Sequence, residues 1–163
     1  MGNRLIHTIP PVYNEKSRIL ILGTFPSVKS REGEFFYHHP QNRFWRLISA
    51  ICKEELPKTI DEKRMLLLRN RIALWDVVRS CDIIGSSDSS IKNVIPNDIT
   101  PILKQADIQR IYANGGTAYR LYKRYIYQDV KREIILLPST SPANASYSLE
   151  RLIEVWSKKI IMV

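Results

Sequence analysis

The residues best suited to chemistry are concentrated in residues 33–48, which read GEFFYHHPQNRFWRLI. Five aromatic rings, two adjacent histidines, side-chain amides and two arginines share these positions. An Asn or Gln side chain donates and accepts hydrogen bonds at once, and an aromatic ring offers a flat apolar face. The stretch therefore predicts either a pocket for a flat, polar ligand or the entrance of a helix with an aromatic core face.

Two residues of this stretch, Asn42 and Tyr37, each admit two interpretations. Asn42 precedes apolar residues at helical spacing, where Asn is a favoured N-cap, but its amide could equally serve a ligand. Tyr37 could be a packing ring or the wall of a pocket. Phe44 and Trp45 stand at positions that predict helix packing.

Four other segments carry polar side chains: GTFPS at residues 23–27, SCDIIGSSDSS at 80–90, NGGT at 114–117 and PSTSPANAS at 138–146. Asp88 is a carboxylate among hydroxyls, so it could orient water or form a turn. Asn114 could be a turn amide or a backbone contact, and Asp76 is interpreted as a structural residue of a strand. None of these segments is a phosphate-binding glycine loop, a nucleophile elbow or a metal motif, so we expect no metal and no cofactor.

The elements that must position these segments alternate along the chain. Continuous apolar runs predict strands at residues 18–23, 72–78, 108–113 and 133–137. Helical spacing predicts helices at residues 42–54, 59–70, 118–127 and 148–161. A further helix follows Pro96, with Asn97 or Asp98 as its cap. This alternation predicts an open, mostly parallel four-stranded sheet covered on both faces, with ligands at the carboxyl ends of its strands.

Length and charge narrow the function. The chain has 163 residues, the size of one domain, and 25 Lys and Arg against 16 Asp and Glu give a formal net charge of +9. Such an excess favours a polyanionic partner, most often a nucleic acid. Arg120, Lys123 and Arg124 follow the NGG turn at i, i+3, i+4 spacing, where they could bind phosphate or form a solvated helix face. The first residues lack the apolar core of a secretory signal, so we expect a cytoplasmic protein.

Three segments, GTFPS at residues 23–27, YHHPQNRFW at 37–45 and LPSTSPAN at 137–144, together resemble the uracil-DNA glycosylase superfamily. They look most like its hypoxanthine-DNA (deoxyinosine) glycosylase branch. The order of the four predicted strands and the intervening LWDVV and GSSDSSI segments are similar to that branch as well. The resemblance covers nearly the whole chain.

The resemblance implies a three-layer α/β/α sandwich and one DNA glycosylase domain over residues 1–163. A monofunctional enzyme of this kind flips a deaminated nucleotide out of DNA and hydrolyses its N-glycosidic bond without a metal, leaving an abasic site. We expect the base to be hypoxanthine. The alternatives are a uracil or mismatch-specific glycosylase and a non-catalytic binder of DNA lesions. We further expect DNA with deaminated bases as the partner, no membrane association, a monomer and, in a prokaryote, a place near the nucleoid.

The resemblance also implies residue roles. In the superfamily an Asp or Asn after the first strand positions the attacking water, but here that place holds Phe25, which can neither orient water nor accept a proton. In the hypoxanthine branch the essential amide lies in the segment that reads PQNRFW here, which implies that Asn42 is catalytic. Gly23, Thr24, Phe25 and Tyr37 would bind the base, with the Tyr37 ring stacked on it, and Asp88 could orient water. The residues that would bind DNA are Ser139, Ser141, Pro142, Asn144, Arg120 and Lys123.

Overall fold

The computed structural model describes residues 3–160, which contain seven strands and seven α-helices. The strands are β1 (Asn3–Ile6), β2 (Ile19–Gly23), β3 (Ile72–Asp76), β4 (Val78–Ile83), β5 (Lys92–Pro96), β6 (Arg110–Asn114) and β7 (Ile134–Leu137). The helices are α1 (Val28–Gly33), α2 (Phe44–Cys52), α3 (Ile60–Arg69), α4 (Thr100–Gln105), α5 (Gly116–Tyr125), α6 (Tyr127–Val130) and α7 (Leu149–Lys159). No helix within these residues is long and apolar enough to cross a membrane.

The predicted parallel sheet is confirmed. Its strand order is β3-β2-β6-β7, and every neighbouring pair is parallel. All five residues of β2 are buried, which explains its continuous apolar sequence. Gly23 lies opposite Asp76 in the register of β2 and β3, and Asn114 lies opposite Leu137 in that of β6 and β7. The carboxyl ends of the four strands therefore form one edge of the sheet.

Alternate residues of β2 point to opposite faces of the sheet and enter different cores. Ile19 and Ile21 pack in a cluster with residues of α2, α3 and α7. Leu20 and Leu22 pack in a second cluster with residues of α4 and α5. Burying one such side chain fully contributes about 1.5–3 kcal/mol. Helices thus cover both faces of the sheet, as the α/β/α prediction requires, and they hold the end of β2 at a defined position.

A second sheet, which the sequence does not predict, is antiparallel with strand order β1-β4-β5. The strand expected over residues 72–78 is divided between β3 and β4, and the first part of SCDIIGSSDSS is the end of β4 rather than a loop. The residues of β5 are exposed or half-buried, and the strand ends at Pro96. Short strands of this kind lack the continuous apolar run that marks a strand buried on both faces.

Helix α2 begins one residue later than an Asn42 cap requires. Its first residue is Phe44, and Arg43 occupies the cap position. The Asn42 side chain still accepts the Phe44 N–H at 2.9 Å, within a tight turn that precedes the helix. Asn42 therefore satisfies a backbone group at the helix entrance without being its N-cap.

The predicted caps of α4 are also wrong. Ile99 occupies the cap position, and Asp98 instead accepts hydrogen bonds from the N–H and the hydroxyl of Thr100. Asn97 is buried and donates to two backbone carbonyls where β3 passes into β4. Its amide therefore joins this segment to the sheet rather than starting a helix.

The remaining helix boundaries agree with the sequence within a few residues. Thr59 and Ser148 cap α3 and α7 at the predicted starts, each through a side-chain oxygen that accepts a backbone N–H. Helix α5 ends at Tyr125 and α6 follows, where a single helix to residue 127 is predicted. Helix α7 ends at Lys159, and the last residue of that prediction, Ile161, lies outside the described residues.

Candidate active site

A cavity of about 960 Å³ opens at the carboxyl ends of the parallel strands. This volume is large enough for a ligand of the size of a nucleoside. Ten of the residues predicted from the sequence line it: Gly23, Thr24, Phe25, Tyr37, Asn42, Asp88, Ser139, Ser141, Pro142 and Asn144. No cluster of three His, Cys, Asp or Glu side chains suitable for a metal ion occurs in the described part of the chain.

The Asn42 side chain is held by its oxygen. Oδ1 accepts hydrogen bonds from the Phe44 N–H and from the Thr140 hydroxyl, both at 2.9 Å. Two donors on the same atom distinguish the oxygen of the amide from its nitrogen. The Nδ2 group, with two hydrogens to donate, is left as the end of the side chain available at the cavity wall.

Thr140 connects Asn42 to the end of β6. It is fully buried, its hydroxyl accepts a hydrogen bond from Asn114 Nδ2 at 3.0 Å, and its N–H donates to Asn114 Oδ1 at 3.0 Å. Asn114, which the sequence leaves as a turn amide or a backbone contact, thus bonds both the backbone and the side chain of Thr140. Because hydrogen bonds in a chain polarise one another, this series orients the Asn42 amide and increases the positive character of its N–H groups.

Arg43 fastens the PSTSPANAS loop to the start of α2. Its guanidinium donates to the carbonyls of Ser141 at 2.7 Å, Asn144 at 3.1 Å and Thr140 at 3.4 Å, and also to that of Tyr147. The Arg43 N–H donates to the Thr140 carbonyl as well. A planar guanidinium with five N–H groups can satisfy several carbonyls at once. One side chain therefore joins the two segments that carry most of the family resemblance.

Tyr37 lies between Phe44 and the cavity. Its ring stacks on the Phe44 ring, with centroids 4.2 Å apart and planes inclined by 24°. Its φ of 53° is unfavourable for a large side chain. The Tyr37 hydroxyl is the only buried side-chain nitrogen or oxygen without a hydrogen-bond partner among residues 3–160. Burial and the Asp76 carboxylate raise its pKa, while the Asn114 amide, outside normal hydrogen-bond geometry, opposes that shift. The hydroxyl is therefore a protonated donor.

Asp76, which the sequence suggests is structural, also lines the cavity. His7 Nε2 donates to Asp76 Oδ2 at 2.8 Å, and His7 Nδ1 accepts the Ile9 N–H at 3.2 Å, which assigns the tautomer of the neutral ring. The two side chains are 1% and 5% exposed. The Phe25 ring meets the His7 ring edge to face at 6.0 Å between centroids. The Asp76 carboxylate is thus held through one oxygen by a histidine that packs against an aromatic ring.

The close approach of three residues explains why position 23 is glycine. A Cβ on Gly23 would lie 2.4 Å from Asp76 Oδ1 and 2.7 Å from the Tyr37 hydroxyl oxygen, well inside van der Waals contact. Without a side chain at position 23, the carboxylate and the hydroxyl approach the same point in the wall of the cavity.

Asp88 lies at the rim of the cavity and begins a short 3₁₀ helix, Asp88–Ser90. The residue as a whole is exposed, but it lines the cavity and its carboxyl is close enough to the Thr24 side chain for that group to affect its pKa. Burial there raises the pKa of the carboxyl to about 6, and the Asp76 carboxylate also raises it, whereas a Thr24 hydrogen bond and Arg120 lower it. A carboxyl of this pKa is ionised at neutral pH and can accept a proton.

The two cations predicted to bind DNA are in different surroundings. Arg120 is close enough to Asp88 to lower its pKa, so it stands near the rim of the cavity. Lys123 lies 3.5 Å from the Glu133 carboxylate and 4.8 Å from the centroid of the Tyr127 ring. Neither residue lines the cavity. Of the two, Arg120 is the one that lies close to a residue of the cavity rim.

Sequence reasoning gave no role in the site to His7, Arg43 or Thr140, interpreted Asp76 as structural, and left Asn114 as a turn amide or a backbone contact. One signal was available, because Asp76 and Asn114 are the last residues of β3 and β6, the place from which side chains of a parallel sheet reach a ligand. His7 gave no comparable signal, since its partner lies 69 positions further along the chain.

The comparisons with known proteins agree on one family. The family model described as the uracil DNA glycosylase superfamily matches residues 10–159. A protein of Methanosarcina acetivorans named hypoxanthine DNA glycosylase is 34% identical over 143 residues, which are 87% of this chain and 90% of the relative. A protein of Methanosarcina barkeri with the same name is 34% identical over 136 residues, or 83% of this chain and 85% of the relative.

A solved structure agrees as well. It is a solution NMR structure of a Methanosarcina acetivorans protein named as a uracil DNA glycosylase, and it superposes with a TM-score of 0.79. The sequence identity is 33%, and the match covers 93% of this chain and 94% of that chain.

Proposed function

The chain belongs to the uracil-DNA glycosylase superfamily, and we propose that it removes hypoxanthine from DNA by hydrolysing the N-glycosidic bond of deoxyinosine. That the chain is a DNA glycosylase follows from the family and from the names of both relatives. The choice of hypoxanthine is the proposed part. It is supported by those two names and by the amide of Asn42.

The observation that carries the proposal is the way Asn42 is held. Two donors occupy its oxygen at 2.9 Å, which leaves Nδ2 as a fixed hydrogen-bond donor at the cavity wall. Phe25, two residues after the end of β2, lines the same cavity, but its side chain has no polar group. An amide that can only donate suits a base that becomes negatively charged as it leaves.

In the proposed reaction the flipped deoxyinosine enters the cavity and the C1′–N9 bond lengthens. The electron pair of this bond moves into the purine, and the sugar becomes cation-like. Asn42 Nδ2 donates a hydrogen bond to the purine as its negative charge grows, and a preorganised donor of this kind contributes about 10²–10³-fold in rate. Water then bonds to C1′ and loses a proton, while the purine anion takes one from solvent. The products are hypoxanthine and an abasic site.

Asp88 is the proposed acceptor of the proton from the attacking water. The residue lines the cavity at its rim, and the carboxyl pKa of about 6 leaves it ionised at neutral pH. A general base of this kind works best when its pKa is close to the working pH. Asp88 would thus supply what Phe25 cannot.

The PSTSPANAS loop is proposed to contact the DNA backbone beside the flipped nucleotide. Arg43 binds three of its carbonyls through the guanidinium, so the loop approaches DNA as a rigid element. The net charge of +9 favours binding through phosphates, and the affinity should therefore fall steeply as salt increases.

The proposal is tested by incubating the protein with duplexes that carry hypoxanthine opposite each normal base and then cleaving abasic sites with alkali. Wild type should produce alkali-labile strands, and Asn42→Ala should reduce the single-turnover rate about 100-fold or more while DNA binding changes little. The matched control is Gln41→Ala, since this exposed neighbour does not line the cavity. No release of hypoxanthine by wild type, or full activity of Asn42→Ala, contradicts the proposal.

Uracil release is the second candidate, because the protein of the solved structure is named as a uracil DNA glycosylase. The same assay with uracil opposite each base separates the two, and a faster release of uracil than of hypoxanthine would favour it. The names of both relatives disfavour a non-catalytic binder of DNA lesions.

A further inference from the structure

Two polar groups in the cavity wall have no part in the proposed chemistry. The Tyr37 hydroxyl is buried and has no hydrogen-bond partner within the described residues. The Asp76 carboxylate is held by His7 through Oδ2 alone. Its other oxygen, Oδ1, and the Tyr37 hydroxyl both approach Gly23, and both residues line the cavity. Polar groups without partners are costly in a folded protein unless a ligand satisfies them.

The two groups form a fixed pattern of one acceptor and one donor. An ionised carboxylate can only accept, and a buried phenol beside it donates. The complementary pattern on a ligand is an N–H next to a carbonyl. Hypoxanthine has this lactam edge at N1–H and O6, and uracil has it at N3–H and O4. Adenine and cytosine carry the reverse pattern, a ring nitrogen that accepts next to an amino group that donates. Deamination converts this pattern into the lactam edge.

We propose that Asp76 and Tyr37 bind the lactam edge of the flipped base and so separate hypoxanthine from adenine and uracil from cytosine, with Asp76 Oδ1 accepting from N1–H of hypoxanthine and the Tyr37 hydroxyl donating to O6. The inference rests on the proposed function, because it assigns the residues that select the base. Adenine is rejected because its N1 lone pair meets the carboxylate and leaves the acceptor and the donor unpaired. Sites built to bond a polar group discriminate strongly against analogues that lack it.

The surroundings of the pair suit this role. His7 is the positioning residue, since its bond to Oδ2 fixes the carboxylate and leaves Oδ1 beside Gly23, on the side of the Tyr37 hydroxyl. The Phe25, Phe36 and Trp75 rings around His7 keep water from competing. Phe44 already covers one face of the Tyr37 ring. Tyr37 would thus meet the base at its edge, a different role from the stacking that the family resemblance implies.

A carboxylate at N1 should act on affinity and not on the rate of bond cleavage. Negative charge grows on the purine as the bond breaks, so an anion beside it gives no additional stabilisation to the transition state. Removing the Asp76 charge should therefore raise the half-saturating protein concentration and leave the maximal single-turnover rate within a few-fold. Removing the Asn42 amide should do the opposite, which distinguishes recognition from catalysis.

The first test measures binding without cleavage. Duplexes carry a 2′-fluoroarabino nucleotide, which resists hydrolysis, with either hypoxanthine or unsubstituted purine placed opposite an abasic spacer so that no base pair differs. Unsubstituted purine is smaller than hypoxanthine and lacks both N1–H and O6, so steric exclusion cannot explain weaker binding. Wild type should bind hypoxanthine about 10- to 100-fold more tightly, the range for a hydrogen bond to a charged group.

The second test uses variants in the same assay. Asp76→Asn should remove most of the preference for hypoxanthine over purine, and Tyr37→Phe should reduce it several-fold. The matched controls are Asp82→Asn, whose carboxylate lies 3.7 Å from Arg4 on the second sheet, and Tyr125→Phe, at the end of α5. Neither control residue lines the cavity, and neither substitution should change the preference.

The outcomes separate the two proposals. Equal affinity of wild type for hypoxanthine and purine overturns the lactam assignment even if hypoxanthine is released from natural deoxyinosine. If wild type releases no hypoxanthine, the proposed function is overturned, but the comparison of binding to hypoxanthine and to purine still tests whether Asp76 and Tyr37 recognise the lactam edge. If Asp76→Asn fails to fold, the comparison of hypoxanthine with purine for wild type and for Tyr37→Phe still tests the lactam assignment. Loss of maximal rate in Asp76→Asn at an unchanged half-saturating concentration would place Asp76 in the chemistry and contradict the assignment.

Discussion

Asn42 and Thr140 are 98 positions apart in the chain, and the Thr140 hydroxyl donates to the Asn42 amide oxygen at 2.9 Å. Thr140 is fully buried and takes its own hydrogen bond from Asn114 at the end of β6. The direction of the proposed catalytic donor is therefore set by the parallel sheet, through a hydroxyl buried beneath the cavity wall. Rigid support of this kind is what a preorganised site requires.

Thr140→Val, which replaces the hydroxyl by a methyl group of similar size, should lower the single-turnover rate about 10- to 100-fold. The Asn42 oxygen would keep the Phe44 N–H but lose its second donor, so Nδ2 would no longer be fixed. Thr140→Ser keeps the hydroxyl and should restore most of the rate. The half-saturating protein concentration should stay nearly constant in both variants. Equal rates for the Val and Ser variants would show that Thr140 has only a packing role.

The parallel sheet and its ligand edge could be predicted because local sequence determines them. Strand β2 is buried throughout, β3 and β6 are buried at all but one residue and β7 is buried at both ends, and each therefore appears as a short, mostly apolar run. The carboxyl ends of parallel strands always share one edge, which is why residues as distant as Gly23 and Ser139 were expected around one cavity, and they line the same one.

The parts that sequence could not predict depend on contacts between distant residues. The antiparallel sheet has short strands with mixed exposure. Strand β1 is defined by its pairing with β4, in which Ile6 lies opposite Ser80, more than seventy residues further along the chain. His7 and Asp76 meet only because that sheet packs beside the end of β3. Arg43 is one of many arginines in the sequence, and nothing local distinguishes a side chain that binds a loop from one in solvent.

Replacing Arg43 by Met should loosen the PSTSPANAS loop. The guanidinium bonds to four backbone carbonyls would be lost, so we expect a loss of about 2 kcal/mol or more in the free energy of unfolding and weaker binding to DNA. Arg43→Lys should restore little, because an ammonium cannot reproduce the planar fork. Thermal unfolding and DNA titrations measure both effects. Arg46→Met, on the exposed side of α2, is the control and should change neither.

Activity should fall as the pH decreases through about 6. Asp88 has a pKa raised to about 6 by burial of its carboxyl, and only the ionised form accepts a proton from water. The single-turnover rate of wild type should therefore decrease about tenfold per pH unit well below that value. Asp88→Asn should be slower at pH 7.5 and lose this dependence, while Asp107→Asn, an exposed control, should keep it. A pH profile of Asp88→Asn identical to that of wild type would exclude the proposed base.

The same carboxyl should lower stability at neutral pH. Its pKa in the folded protein lies above the ordinary value of 3.8, so the folded state binds the proton more tightly than the unfolded state. The contribution of Asp88 to the free energy of unfolding is therefore lost as the pH rises from about 4 to 6. Asp88→Asn removes this penalty and should unfold at a higher temperature than wild type at pH 7.5, with a smaller difference at pH 4. Calorimetry at both values measures the difference.

Gly23→Ala should block the cavity where Asp76 and Tyr37 meet. The added methyl group would lie 2.4 Å from Asp76 Oδ1 and 2.7 Å from the Tyr37 hydroxyl, so both must move. Overpacking of this kind costs about 1–3 kcal/mol, and hypoxanthine-containing duplexes should bind more weakly because the displaced groups no longer match the base edge. Gly116→Ala is the matched control, since its methyl group would be 3.7 Å from the nearest atom, Arg120 Nη1, at the start of α5, where Ala is favourable. The Gly116→Ala variant should unfold at the wild-type temperature or above. If both alanine variants bind hypoxanthine-containing duplexes as tightly as wild type does, Gly23 does not limit access to the proposed recognition pair.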